Sequence, residues 1–168
     1  MSDEQMMSVP LAVLVGRLLL KSKMTLATAE SCTGGLIGHR LTEVPGSSEY
    51  FLGGIIAYSN EIKESMLGVK PETLGRHGAV SAETAGEMAR GARHVLGTDV
   101  AVSVTGIAGP GGGTADKPIG LTYIALAAAD YERVERFVWN QDRTGNKWAS
   151  SEAALQMLHD YLAALTTP

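Results

Sequence analysis

The sequence predicts a three-layer α/β/α sandwich built on one mixed β-sheet, in a single domain. Three observations carry this. Short apolar runs alternate with segments of helical i, i+3, i+4 spacing, as expected for helices covering a sheet. Two adjacent apolar runs near the C-terminal end flank a turn, which puts an antiparallel hairpin into an otherwise alternating pattern. The 168-residue chain is 45% hydrophobic but only 5% aromatic, so Leu, Val, Ile and Ala fill the core, and small residues let helices approach a sheet closely.

The elements follow in order. Residues 1–8 are expected to be a loose N-terminal tail. Leu11, Leu14, Val15, Leu18 and Leu19 line one face of a helix over Pro10 to Lys21. Met24 to Ala29 reads as an inner strand, Gly34-Gly35 as a turn and Leu36 to Val44 as a helix. Pro45-Gly46-Ser47-Ser48 is a loop. Tyr50 to Tyr58 reads as a buried strand whose Gly53-Gly54 pair marks a bulge or a close backbone approach. Ser59 and Asn60 are natural N-caps for a short helix from Glu61 to Leu67, and Ser81 opens a helix that Gly97 stops after Leu96. Val100 to Val104 is a strand that runs into the glycine-rich loop Thr105 to Gly113. Ile119 to Ala128 and Val134 to Trp139 form the hairpin, turning at Asp130-Tyr131-Glu132. An amphipathic helix from about Thr144 to Leu165 completes the pattern.

Composition excludes several classes. No apolar stretch reaches the roughly 18 residues of a membrane span. The longest, Val9 to Leu20, is interrupted by Arg17, and the acidic start Met1-Ser2-Asp3-Glu4 is unlike the basic start of a signal peptide. The single cysteine, Cys32, cannot form an internal disulfide, which suits a reducing compartment, so a cytoplasmic location is expected. The net charge of −4 argues against general nucleic-acid binding, whose affinity comes from neutralising phosphates. The four histidines have no metal-binding spacing, so no metal is expected. Oligomeric state is open: the apolar faces of Leu11 to Leu20 and of the final helix pack either within the chain or in a homodimer or higher homo-oligomer.

Several residues carry candidate chemistry. Ser31 lies where a strand hands over to a helix, in Ala29-Glu30-Ser31-Cys32-Thr33-Gly34-Gly35. Read one way it is a helix N-cap. Read the other way it is a nucleophile beside an oxyanion hole of backbone N–H groups from Cys32 to Gly35. A nucleophilic serine needs a base, and Lys63 is the candidate, because a lysine buried away from acids loses its proton readily. On spacing alone it equally fits a solvated helix residue. Tyr58 is either a packing residue or a proton relay, and Cys32 reads as a small filler of the turn. The glycine-rich loop is either a flexible surface loop or a cradle of N–H groups for a phosphate or carboxylate, with Thr105 its best substrate-facing hydroxyl. Arg143, four residues before Lys147 on one helix face, is either an anion clamp or part of a solvated helix start capped by Asp142.

Four motifs occur together: A-E-S-C-T-G-G-L, G-G-I-I-A-Y-S-N-x-x-K, G-A-V-S-x-E-T-A and T-G-I-A-G-P-G-G-G. In this order they resemble the C-terminal domain of the CinA competence/damage-inducible family, from about Leu11 to Leu162. That family includes stand-alone nicotinamide-nucleotide amidases, and its larger members carry an additional N-terminal domain. The resemblance implies hydrolysis of the carboxamide of nicotinamide mononucleotide to nicotinate mononucleotide and ammonia, with no cofactor. It implies a serine–lysine mechanism on Ser31 and Lys63, helped by Tyr58 and Thr105. Thr33, Gly34, Gly35, Asn60, Gly106, Gly109, Gly111 and Arg143 are expected to contact the pyridine-nucleotide substrate. A catalytically silent nucleotide-binding or regulatory module is the alternative.

Overall fold

The structure is a computed structural model and describes residues 9–166; the expected tail at residues 1–8 lies outside the described residues. The elements are α1 (Leu11–Ser22), β1 (Leu26–Glu30), α2 (Leu36–Thr42), β2 (Phe51–Ile56), α3 (Asn60–Leu67), α4 (Pro71–His77), α5 (Ala82–Leu96), β3 (Val100–Gly106), β4 (Leu121–Ala128), β5 (Tyr131–Val138) and α6 (Arg143–Thr166). They build one five-stranded sheet in the order β2-β1-β3-β4-β5. β1 runs parallel to both β2 and β3, while β4 is antiparallel to β3 and β5, so the sheet is mixed as the hairpin signal requires.

The two faces of the sheet are packed differently. On one face α1, α2 and α6 enclose the larger core, where Val15 and Leu19 meet Leu155, Leu158 and Leu162 over Val102 and Ile124. The apolar faces of α1 and α6 therefore pack against each other within the chain. On the other face α5 lies on the sheet through Ala85, Ala89 and Ala92, opposite Ala101, Ala125 and Ala127. A helix can approach this closely only where side chains end at Cβ. At Gly91 even that atom is excluded, since it would sit 1.8 Å from the Leu67 carbonyl oxygen of α3.

The Gly53-Gly54 pair does both things expected of it. The β1–β2 register slips at Leu52, with Leu26 opposite Phe51 and Ala27 opposite Gly53. A Cβ at Gly54 would fall 2.2 Å from Thr28 Oγ1.

Three local expectations are corrected. The segment read as a buried strand, Tyr50 to Tyr58, supplies β2, which lies at an edge of the sheet with Leu52 and Ile56 exposed, because only β1 pairs with it. Helix α4 falls in a segment that the sequence reading left without an element, although Pro71 stands in its first turn, where a missing N–H costs nothing. The hairpin turn is the two residues Ala129-Asp130, and Tyr131 and Glu132 belong to β5. β5 is an edge strand with mostly exposed side chains, so its first half lacks the apolar alternation that identifies a buried strand.

Candidate active site

Ser31 is the first residue beyond β1, and its N–H donates to the Val104 carbonyl at 2.9 Å, so the sheet holds its backbone. It does not cap α2. That helix starts at Leu36, after Gly34 (φ +60°) and Gly35 (φ +99°) have reversed the chain, and it has no side-chain cap at its N-cap position. Its amides go instead to the buried carboxylate of Glu30. One Glu30 oxygen accepts from Thr33 Oγ1 (2.6 Å), Gly35 N (3.0 Å) and Ile37 N (3.1 Å), and the other from Gly38 N (2.9 Å). A carboxylate at a helix start answers both the orphan donors and the dipole.

This arrangement overturns one expectation. Gly34 donates to the Ser31 carbonyl at 3.1 Å and Gly35 to Glu30, so neither amide is free for a substrate, and the Thr33 hydroxyl is committed to Glu30. The cleft beside Ser31 is not lined by Thr33, Gly34 or Gly35. Glu30 was not singled out from the sequence. The available signal was an acidic residue ending an otherwise apolar inner strand, directly before Ser-Cys-Thr-Gly-Gly.

Lys63 comes from α3, one turn after the Ser59 N-cap, whose Oγ accepts from Ile62 N at 3.3 Å. It is not solvated: only 1% of it is exposed. Its Nζ lies 3.1 Å from Ser31 Oγ, 2.8 Å from the Ala57 carbonyl and 3.3 Å from the Tyr58 carbonyl. Those carbonyls are carried to Ser31 because Ala57 N bonds the Glu30 carbonyl at 2.8 Å, which continues the β1–β2 pairing past the strand end. Burial pushes the Lys63 ammonium below its usual 10.5, with the Cys32 thiol the smaller, opposing influence. Nζ is within donating distance of all three oxygens, which satisfies the ammonium; deprotonation would change only the bond to Ser31. In the neutral amine two N–H bonds would remain on the carbonyls and the lone pair would face the Ser31 hydroxyl.

The other expected site residues fall in two groups. Tyr58, Asn60, Thr105, Gly106, Gly109, Gly111 and Arg143 line a cleft of about 270 Å³ together with Ser31, Cys32 and Lys63. The Tyr58 side chain stands at the rim, 62% exposed, and its hydroxyl accepts from Arg143 Nη2 at 3.2 Å. Arg143 also donates from Nη1 to the Gly109 carbonyl at 2.8 Å, so it ties both walls of the cleft together. Lys147 is not among the lining residues; its Nζ lies beside Gly34. Asp142 caps α6 by accepting from Gly145 N at 2.7 Å.

The glycine-rich loop is seated on the sheet and on α6. A Cβ at Gly106 would meet the Leu121 carbonyl at 2.8 Å, and one at Gly109 would meet Ile119 Cγ2 at 2.6 Å. Buried Asn146, which sequence reading placed only at a helix start, donates to the Ala108 carbonyl at 3.0 Å. Cys32 sits behind Ser31 as a filler, and burial pushes its thiol up to about 11, so it is a poor nucleophile. No acidic side chain lines the cleft, whose basic lining groups are Lys63 and Arg143. Among the described residues no three His, Cys, Asp or Glu side chains are grouped to hold a metal ion, and no helix is long and apolar enough to cross a membrane.

Fold and site together define a mixed-sheet α/β protein with a buried serine–lysine pair at the end of an inner strand. Comparison with known proteins gives the family. Residues 8–162 match the model of the CinA C-terminal domain, and the chain belongs to that family. It is 54% identical over 152 residues to a CinA-like protein of Geobacter sp. (strain M21), covering 90% of this chain and 37% of that protein. It is likewise 54% identical over 155 residues to a CinA-like protein of Chlorobaculum tepidum, covering 89% and 37%. The chain thus spans little more than a third of the length of these curated relatives. Among solved structures, it superposes on the competence/damage inducible protein CihA from Agrobacterium tumefaciens with a TM-score of 0.86 and 42% identity, covering 91% of this chain and 95% of that one. A CinA superfamily protein from Klebsiella pneumoniae gives a TM-score of 0.88 at 31% identity, covering 92% and 96%.

Proposed function

We propose that this chain is a nicotinamide-nucleotide amidase, which hydrolyses the carboxamide of nicotinamide mononucleotide to nicotinate mononucleotide and ammonia through an acyl-enzyme on Ser31. The observation that carries the reading is Lys63 Nζ, buried, free of any acidic partner and 3.1 Å from Ser31 Oγ. Neutral Lys63 takes the Ser31 proton as Oγ attacks the amide carbon, then returns it to the departing nitrogen. With the Gly34 and Gly35 amides already bonded and Thr33 outside the cleft, the developing oxyanion falls to the N–H of Cys32. Water then attacks the acyl-enzyme, with Lys63 again the base, and the carboxylate leaves.

The cleft's chemistry supports an anionic, mononucleotide-sized substrate. Arg143 has two donors on neutral oxygens, a carbonyl and a phenol, which a phosphate would outcompete as a charge-assisted, bidentate partner. The exposed Tyr58 ring offers a face to a cationic pyridinium. The reading is tested by quenching the protein in acid during turnover of nicotinamide mononucleotide and mapping peptide masses. The nicotinoyl-nucleotide adduct is expected on Ser31 and on no other residue. Turnover by a protein whose Ser31 peptide stays unmodified, with activity retained in Ser31→Ala, would refute it.

A further inference from the structure

The motif G-A-V-S-x-E-T-A (residues 78–85) is not used by the steps above, yet it shapes the cleft. It forms the turn between α4 and α5. Ser81 Oγ and Thr84 Oγ1 both donate to the Gly78 carbonyl, at 3.0 and 2.8 Å, and Ser81 Oγ accepts from Thr84 N at 3.2 Å. The turn is thereby fixed with Ala79 and Val80 against the cleft. The Ala79 carbonyl takes a hydrogen bond from Thr105 Oγ1 at 2.7 Å.

A carbonyl cannot donate, so the only hydroxyl proton of Thr105 is committed to Ala79. The side chain, 1% exposed, is among those lining the cleft, and once that proton is placed Oγ1 has only lone pairs to offer a ligand. It stands next to the nucleophile: Glu30 pairs with Val104 in the parallel β1–β3 ladder, Ser31 N bonds the Val104 carbonyl, and Ser31 and Thr105 are the next residues along. We infer that Thr105 is a specificity-determining residue: an acceptor-only oxygen beside Ser31 that selects a primary carboxamide over a carboxylate or an ester.

This inference rests on the amidase reading and adds the group that recognises the leaving nitrogen. In acylation the Ser31 Oγ–carbon bond forms and the carbon–nitrogen bond breaks. The Ser31 proton passes to Lys63 Nζ and from there to the nitrogen, which leaves as ammonia. Thr105 Oγ1 accepts one of the two N–H bonds the nitrogen already has, which turns its lone pair toward the Lys63 ammonium. The product carboxylate has no N–H to offer and meets lone pairs with negative charge, so it is released.

The test compares nicotinamide mononucleotide with the methyl ester of nicotinate mononucleotide in wild type, Thr105→Val and Thr105→Ser. Thr105→Val should lower kcat/KM for the amide roughly 10-fold more than for the ester, the effect of one hydrogen bond that only the amide can make. Thr105→Ser, which keeps the oxygen, should restore the amide. Equal losses on both substrates, or full amide activity in Thr105→Val, would overturn the inference. Should Thr105→Val not fold, Thr105→Ala takes its place. A calorimetric arm measures amide against carboxylate nucleotide binding in Ser31→Ala, with and without Thr105→Val. The amide preference should disappear with the oxygen, and its persistence counts against the inference. Wild type inert on the amide refutes the amidase reading, and the binding ratio still decides the role of Thr105.

Discussion

Lys63 shows how one side chain is converted by its surroundings. Spacing alone fits it to a solvated helix position, but it is enclosed between two strand-end carbonyls and Ser31, with burial holding its pKa below the usual 10.5. In the proposed mechanism the active form is the neutral amine, so activity is expected to be low where Lys63 is protonated and to rise as pH climbs through its lowered pKa. The acidic limb of kcat/KM should therefore have its midpoint below 10.5, the ordinary lysine value. Lys63→Arg should be inactive across that range, because a guanidinium keeps its proton. A limb centred at the ordinary lysine value, or activity in Lys63→Arg, would contradict this assignment. The sequence identified the pair Ser31 and Lys63 through the motifs around them. The burial of Lys63 is a tertiary property, set by α3 packing against α5, and no local pattern encodes it.

The element that fixes Ser31 is the β1–α2 turn, and Glu30 organises it. Four donors converge on that carboxylate, three of them backbone amides from the start of α2. Glu30→Gln keeps the shape but replaces one acceptor oxygen with an NH₂ group that faces amide donors. It should cost about 2 kcal/mol of stability, the scale of a lost charged hydrogen bond in a buried place, as measured by urea unfolding. A change within experimental error would mean the carboxylate is not what closes the helix start. Sequence reading located this turn but assigned its glycine amides to the substrate. Gly34 and Gly35 are in fact needed for their positive φ, and their N–H groups are consumed within the turn. Strands β1, β2 and β3 were legible from their apolar runs. α4 was not, because it buries none of its residues and so leaves no apolar stripe to read.

At the scale of the whole molecule, the cleft is assembled from segments spread along the chain: the β1–α2 turn, the start of α3, the 78–85 turn, the glycine-rich loop and the start of α6. The parallel β2-β1-β3 core brings Ser31, Lys63 and Thr105 together at the strand ends where α/β sheets place their sites. Arg143 and Asn146 then anchor the glycine-rich loop from α6. A chain with a net charge of −4 thus holds a cleft lined by the basic residues Lys63 and Arg143 and by no acidic one, a local property that overall composition conceals. The central claim is that this assembly cleaves a carboxamide. It is tested most directly by measuring ammonia release from nicotinamide mononucleotide by wild type and by folded Ser31→Ala and Lys63→Met. The account predicts release by wild type and a fall of at least roughly 10²-fold in each variant. No release by the folded wild type, or undiminished release by either variant, would contradict it.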